Sequence, residues 1–305
     1  MKFAIYQESR VGKRSNNEDR MAHCYSRDAL MMVVADGMGG HYYGEIAAQI
    51  AVQTFSQIFR QRAQPKIDDP YLFLQEAMLN AHHAILAFSE KNKLNDSPRT
   101  TCVACLIQDN IAYWAHVGDS RLYLIREGEI HFHTRDHTRV QLLLEQGLLS
   151  HEEAAKHPDR NKIYSCLGGS QQPNIDFSRK TPLEAGDVIS LCSDGFWGVL
   201  PPKAMIAGLT STDLASAIPA LLDQAEQRAG NYADNLSVIV VHWSNPYLDA
   251  ESSVLNISTQ SMSAHSFTGK LSEFGRASTR KNELSEEEIE RAIEEIRMAI
   301  QKHTK

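Results

Sequence analysis

The 305-residue sequence lacks a hydrophobic segment long enough to cross a membrane. Its longest apolar run, Ala29 to Ala35, is far shorter than the roughly 20 residues that a spanning helix needs. The first residues, MKFAIYQESR, become polar too early for a secretory signal peptide. We therefore expect a cytoplasmic protein without a membrane span.

Positive charge and cysteine are also scarce. The formal net charge is -7, from 38 acidic and 31 basic side chains, so no basic surface for a nucleic-acid backbone is indicated. The five cysteines are an odd number and widely spread, unlike a secreted disulfide framework. Cys102 and Cys105 form a C-x-x-C, but within a β-like run, where residues three apart point to opposite faces. We expect reduced core cysteines and no nucleic-acid partner.

Residues 1–244 alternate β-like runs with amphipathic helical stretches, which predicts one α+β layered domain. The β-like runs are KFAIYQES, LMMVVAD, TTCVACLI, IAYWAHVG, RLYLIR, EIHFHT, DVISLCSD and LSVIVVHW. The helical stretches are residues 44–59, 71–88, 138–146, 151–157 and 214–228. Glu127-Gly128 separates two of the runs as a tight hairpin would, and so predicts antiparallel pairing.

The last part of the chain differs in composition. Residues 245–283 are rich in Ser and Thr and have few large apolar side chains, which predicts a disordered linker. Residues 284–305 begin with a capping-box pattern and carry an isoleucine stripe, which predicts an amphipathic helix. Two alternatives stay open for this helix: it docks on a partner or on the chain itself, or it is a solvated tail.

Three aspartates stand at the ends of apolar runs. Asp36 and Asp194 each follow such a run and precede a glycine, and Asp234 comes just before a third run. Each alone is typical of a turn or a cap. Together, at matching strand ends, they would repel one another unless a divalent cation lay between them, so they predict a metal site. The Gly37 carbonyl, next to Asp36, could join the ligands.

Two further loops carry acidic residues. GKRSNNEDR contains Arg14, Glu18 and Asp19, and HVGDSRLYLI contains Asp119 at another strand-to-strand junction. By themselves these are typical of a solvated loop and of a turn. Beside the three strand-end aspartates, they could supplement the metal site.

These motifs give the chain a family resemblance. RSNNED, VVADGMGG, the Thr100-Thr101 pair, HVGDSR, SDGFWG and ADNLSVIVV occur in this order between Gly12 and Val241. In content and order they resemble the bacterial metal-dependent protein serine/threonine phosphatases of type 2C.

The resemblance implies a four-layer α-β-β-α sandwich with two central antiparallel sheets and a binuclear Mn²⁺ or Mg²⁺ site. It implies in-line attack of a metal-bound hydroxide on phosphoserine or phosphothreonine in proteins, and a Ser/Thr kinase as counterpart. By the family's pattern Asp36 bridges the two ions, and Asp194 and Asp234 complete the first ion's ligands. The Gly37 carbonyl, with Glu18 or Asp19, serves the second ion.

The resemblance extends to a third ion, to the substrate and to a flap. Asp119 corresponds to a ligand of a third metal position, shared with Asp194, and Arg14 to the arginine that holds the substrate phosphate. Eukaryotic relatives carry a histidine as general acid where this chain has Met38. His41 is a candidate for that proton donor, or a turn residue. Residues 151–162 align with the family's mobile flap.

Two other functions are compatible with such a site. One is a catalytically inactive relative that only binds phosphoproteins, and the intact aspartates argue against it. The other is a metal-dependent hydrolase of small phosphate esters, which the sequence leaves open as a side activity.

Overall fold

Two antiparallel sheets lie at the centre of the computed structural model, which describes residues 1–38, 43–244 and 268–271. The first sheet contains β1 (Lys2–Arg10), β6 (Arg121–Arg126), β7 (Glu129–His133), β10 (Val188–Cys192) and β11 (Leu236–Ser244). The second contains β2 (Asp19–Tyr25), β3 (Ala29–Asp36), β4 (Cys102–Gln108), β5 (Ile111–Val117), β8 (Asp176–Phe177), β9 (Thr181–Pro182) and β12 (Thr268–Leu271). The strand orders are β1-β11-β10-β6-β7 and β12-β2-β3-β4-β5-β8, with β9 also paired to β5.

One apolar core joins the two sheets. Met32, Val34 and Cys105 of the second sheet pack in the same buried cluster as Leu122 and Ile239 of the first. Since successive strand residues point to opposite faces, each sheet has a second apolar face on its outer side. Both outer faces therefore need a covering layer.

Helices cover the two outer faces. α1 (Gly44–Arg62) and α2 (Pro70–Lys91) pack against the second sheet. α5 (Asp194–Trp197), α6 (Pro202–Leu209) and α7 (Leu214–Ala229) pack against the first. Two short helices, α3 (Arg139–Glu145) and α4 (His151–Lys156), follow β7 in the chain. The layers run helix, sheet, sheet, helix, and the two predicted antiparallel sheets are confirmed.

The predicted hairpin is confirmed as well. β6 and β7 pair antiparallel, and the turn residues Glu127 and Gly128 have φ values of 52° and 76°. Two successive positive φ values match the right-handed twist of a hairpin. Glycine adopts this conformation without strain.

Strand β2 was not predicted from the sequence. Its residues DRMAHCY include Asp19, Arg20 and His23, and such polar residues hide the apolar alternation of a strand. Their partners come from distant parts of the chain. His23 Nδ1, for example, lies 2.7 Å from Gln7 Oε1 of β1. α6 was also missed.

The segment predicted to be a disordered linker contains β12. Residues 268–271 pair antiparallel with residues 25–22 of β2, which differs from the expected disorder at these four positions. Backbone pairing with a free strand edge needs no apolar side chains, so composition could not signal it. The rest of 245–283 and the helix predicted for 284–305 lie outside the described residues and stay predictions. Within the described part, no helix is long and apolar enough to span a membrane.

We predict that Phe55→Ala destabilises the fold strongly. Phe55 of α1 is fully buried and packs edge-on against Phe73 of α2, with ring centroids 6.3 Å apart. Its truncation leaves a cavity and should lower the free energy of unfolding by about 3–5 kcal/mol in urea denaturation. Leu148→Ala is the control, because Leu148 is 65% exposed and should change stability by less than about 0.5 kcal/mol. Equal effects of the two variants would contradict the packing described.

Candidate metal centre

Asp19 and Asp36 meet at one end of the second sheet. Asp19 begins β2, Asp36 ends β3, and the two are directly paired across the antiparallel ladder. Directly opposite residues have their Cβ atoms about 4.5–5.5 Å apart, so the two carboxylates are neighbours. The antiparallel register therefore makes this a two-carboxylate site.

The backbone of Asp36 is held by the two threonines of the predicted motif. The Thr100 hydroxyl donates to the Asp36 carbonyl at 2.8 Å. The Asp36 N–H donates to Thr101 Oγ1 at 3.1 Å, and the Thr101 N–H donates back to the Asp36 carbonyl at 2.9 Å. These bonds set the direction in which the Asp36 side chain leaves the strand end.

Asp194 and Asp234 lie together at the end of the first sheet. Asp194 follows β10 and begins α5, while Asp234 precedes β11. β10 and β11 are antiparallel neighbours, so the end of one lies beside the start of the other. Gly195 makes the close approach possible, because a Cβ there would lie 2.1 Å from the Asn235 carbonyl oxygen.

A buried hydroxyl joins the two sheet ends. Ser193 Oγ donates to Asp19 Oδ2 at 2.7 Å and accepts from the Ser237 N–H at 3.0 Å. Ser193 precedes Asp194, so this contact fixes Asp19 of one sheet against Asp194 of the other. A role for Ser193 was not predicted from the sequence. Its position directly before Asp194 was the only indication of one.

Burial and mutual repulsion raise the pKa values of Asp19, Asp36 and Asp194. Burial, followed by the charges of Asp19, Asp194, Asp119 and Asp234, raises the pKa of Asp36 well above its usual range. Burial, and then the charge of Asp234, raises the pKa of Asp194 to about 7. Burial also raises the pKa of Asp19 to about 6, although the Ser193 hydrogen bond acts in the opposite direction. The charges of the other four aspartates all act on Asp36, so the five lie close together.

Unsatisfied oxygens show that the site suits a cation. Glu18 Oε2 and Asp19 Oδ1 are buried and have no hydrogen-bond partner among the described residues. Burial, and then the charge of Glu45, raises the pKa of Glu18 to about 7. Buried anionic oxygens without donors need a positive partner, and clustered carboxylates are the ligands that Mg²⁺ and Mn²⁺ prefer. The residues present therefore fit a divalent metal ion.

The structure places Glu18 and Gly37 next to each other, beside Asp19 and Asp36. The Gly37 N–H donates to the Glu18 carbonyl at 3.1 Å. Asp19 lies within the aspartate cluster, whereas the Glu18 side chain lies beside Gly44 at the start of α1. Of the two alternatives that the sequence left open, Asp19 is therefore the more central.

Asp119 is buried and lies close to Asp194. Burial, and then the charges of Asp194 and Asp136, raises its pKa well above the usual range. Its carbonyl accepts a hydrogen bond from Trp197 Nε1 at 3.1 Å. Trp197 belongs to α5, the helix that Asp194 begins, so one short helix positions both residues.

An arginine supports Trp197. The Arg121 guanidinium carbon lies 3.4 Å from the centre of the Trp197 ring, as in a cation–π contact. Asp136 holds the guanidinium with two bonds of 2.8 Å, from Nε and Nη2. None of these three roles was predicted, because they depend on residues that are far apart in the sequence.

Arg14 lies at the open side of the cluster. Its Nη2 donates to Asp234 Oδ2 at 2.7 Å, and its side chain is 57% exposed. One bond to Asp234 fixes the direction of the guanidinium while its other N–H groups face outward. This geometry suits the predicted contact with an incoming phosphate. His41, the candidate proton donor, lies outside the described residues.

Comparisons with known proteins agree with this architecture. The family model described as protein phosphatase 2C matches residues 6–236. The serine/threonine phosphatase stp of Listeria monocytogenes serotype 4b is 30% identical over 241 residues, covering 78% of this chain and 94% of that protein. The protein phosphatase PhpP of Streptococcus pneumoniae is 33% identical over 235 residues, covering 75% and 92%. Among solved structures, the catalytic domain of the serine/threonine phosphatase PstP in complex with two manganese ions superposes with a TM-score of 0.67. It is 30% identical and covers 80% of this chain and 99% of that one.

We predict that Asp19→Asn stabilises the metal-free protein and removes its stabilisation by Mn²⁺. The variant keeps an oxygen that accepts from Ser193 but takes one charge out of the repelling cluster, which should add on the order of 1–3 kcal/mol at pH 7.5 in EDTA. In wild type, Mn²⁺ at 100 times its dissociation constant should add about 2.7 kcal/mol.

Thermal unfolding in EDTA and in Mn²⁺ measures both effects. Asp68→Asn is the control, since Asp68 is exposed and should leave both values unchanged. A lower Tm for Asp19→Asn in EDTA, or an undiminished response of that variant to Mn²⁺, would contradict the role of Asp19.

Proposed function

Because this chain belongs to the protein phosphatase 2C family and is a metal-dependent protein serine/threonine phosphatase, we propose that Asp36, Asp194 and Asp234 form its catalytic metal centre. The observation that carries the proposal is the convergence of these carboxylates at adjoining ends of both sheets, where their charges act on one another. Mn²⁺ supports the activity of this phosphatase, and phosphoproteins are its substrates.

The set of ligands favours two bound metal ions. Asp36, on which the charges of the other four aspartates all act, is suited to bridge them. Asp194 and Asp234 would hold one ion, and Asp19, the Gly37 carbonyl and Glu18 the other. The two manganese ions of PstP support this number. Asp119 with Asp194 offers a third position, and Mg²⁺ is an alternative to Mn²⁺ because all these ligands are hard oxygens.

When bound, the ions would supply Lewis acidity and a water of lowered pKa, the nucleophile of direct phosphate hydrolysis. The protein's part is to orient the substrate. Arg14 presents its outward N–H groups to the phosphate oxygens, and a planar guanidinium can bind two of them at once. As the phosphoryl group transfers, this contact neutralises its charge. The chemistry requires no nucleophilic serine or cysteine, and His41 stays a candidate for the proton donor to the leaving group.

The proposal includes a cellular setting. Phosphoserine and phosphothreonine arise through kinases, so a cognate serine/threonine kinase is the expected counterpart. A cytoplasmic location is supported by the five cysteines, all of which are free, four of them buried. The predicted helix of residues 284–305 would dock on a partner or on the chain itself. The segment 151–162 is proposed to act as a flap that influences substrate choice.

Hydrolysis of a phosphothreonine peptide tests the centre. We expect activity with Mn²⁺, lesser or equal activity with Mg²⁺ and none in EDTA. Asp36→Ala and Asp194→Ala should lose activity with every metal while remaining folded by circular dichroism, and Asp68→Ala should keep it. Activity that survives in EDTA or in either active-site variant would refute the metal centre. Folded wild-type protein that hydrolyses nothing would favour phosphoprotein binding without catalysis.

Arg14 has its own expected effect. Replacing it by alanine removes the charged donor to the phosphate, so kcat/KM should fall on the order of 100-fold. Arg14→Lys should lose less, since a charge remains but the planar pair of donors does not. Lys13→Ala, at the exposed neighbouring position, is the control for a general loss of positive charge. Equal kinetics for Arg14→Ala and Lys13→Ala would show that Arg14 does not bind the phosphate.

A further inference from the structure

Outside the aspartate cluster, two histidines and an aspartate form a second compact group. In the described part of the chain, one ring nitrogen each of His116 and His137 and one carboxylate oxygen of Asp176 lie within 4.8 Å of one another. The residues come from three places: His116 from β5, Asp176 from β8, and His137 from the loop after β7. None of them belongs to the predicted phosphatase site.

Strand pairing places His116 and Asp176 side by side. They are directly opposite in the antiparallel pair of β5 and β8, so their side chains project from the same face of the sheet. His137 reaches them from a loop that is fixed at both backbone groups. Its N–H donates to the Gly118 carbonyl, and its carbonyl accepts from the Tyr164 N–H, each at 2.9 Å.

The ring of His116 is oriented as a ligand. Its Nε2 lies 2.7 Å from the Arg135 carbonyl oxygen, and a carbonyl only accepts, so Nε2 carries the proton. Nδ1 then keeps a free lone pair. A hydrogen bond from the other ring nitrogen to a backbone carbonyl is the usual arrangement of a metal-binding histidine. Burial lowers the pKa of His116 to about 4, so the imidazole is neutral near pH 7.

His137 Nε2 is a buried polar atom without a hydrogen bond. The side chain is 2% exposed, and no described residue forms a hydrogen bond with this nitrogen. Asp176 Oδ2 lies 3.4 Å away, too far for a good hydrogen bond. Two ligand atoms of a tetrahedral ion with bonds of 2.0–2.1 Å lie about 3.3 Å apart, so this spacing matches the edge of a metal site.

From this geometry we infer that His116, His137 and Asp176 form a second metal site, which binds Zn²⁺ or a similar late transition-metal ion. Two imidazoles and one carboxylate favour such an ion over Mg²⁺, which prefers oxygen ligands throughout. The Asp176 side chain is 49% exposed, so an ion can enter from solvent and keep a water as its fourth ligand. This chemistry differs from that of the all-oxygen centre.

Binding has one identifiable cost. The Gly118 N–H points at His137 Nδ1 from 3.3 Å, an arrangement that places the ring proton on Nε2. An ion on Nε2 moves that proton to Nδ1, and this long contact is given up. The stacking of His137 on Tyr164, with centroids 5.4 Å apart, remains to hold the ring.

Cobalt spectroscopy of the full chain tests the inference. Tetrahedral Co²⁺ with nitrogen ligands absorbs visible light much more strongly than octahedral Co²⁺ with oxygen ligands, so the intense bands report on the histidine site alone. Wild-type protein, with Mn²⁺ present to fill the acidic centre, should show these bands, and Zn²⁺ should abolish them by competition.

Variants assign the bands to the site. His116→Gln and Asp176→Asn should each weaken Co²⁺ binding by at least about tenfold, because loss of a ligand exceeds the loss of an outer hydrogen bond. Asp176 lies half-exposed on a short strand, so its variant remains informative if His116→Gln fails to fold. His131→Gln is the control, since His131 is exposed on β7. Absence of intense bands in wild type, or bands unchanged in Asp176→Asn, would overturn the inference. None of these readouts depends on phosphatase activity.

Discussion

Several aspartates with little solvent around them repel one another, and much of the structure serves to hold them together. The antiparallel register sets Asp19 opposite Asp36, and the pairing of β10 with β11 brings Asp194 beside Asp234. Burial and mutual repulsion act in the same direction on Asp36 and Asp194, whose pKa values are raised. Such a cluster lowers stability by itself and becomes favourable when cations share the space.

Neutral groups provide the rigidity that the charges cannot. Thr100 and Thr101 hold the backbone of Asp36, and Ser193 holds one oxygen of Asp19 while the other stays free. The Glu18 N–H is held by Asn235 Oδ1 at 2.8 Å. A hydrogen bond to one oxygen of a carboxylate fixes its orientation and leaves the other oxygen free to bind a metal ion. The two sheets therefore fix the positions of the carboxylates, and bound cations would offset their negative charge.

The two candidate metal sites differ in chemistry although they lie near each other in the chain. Gly118 separates them: its backbone contacts His137, and Asp119 follows directly. One site offers carboxylate and carbonyl oxygens, the other two imidazoles and a carboxylate. Metal affinity depends on ligand type and geometry. Mn²⁺ would therefore favour the oxygen site, and Zn²⁺ the site with the two imidazoles. Arg14, on the open side of the first site, is tied to Asp234 and is proposed to bind the substrate phosphate rather than either ion.

Local pattern by itself determined most strands, the hairpin at Glu127-Gly128 and the three strand-end aspartates, because apolar periodicity and turn residues act over a few positions. The order of the motifs indicated the family. Only tertiary structure decided which of these residues meet. β2 escaped detection because the partners of its polar residues are remote, as with His23 and Gln7. The stack of Trp197, Arg121 and Asp136 and the group of His116, His137 and Asp176 join residues from separate elements. Their contacts arise from sheet register and packing across the fold, which no local window of sequence contains.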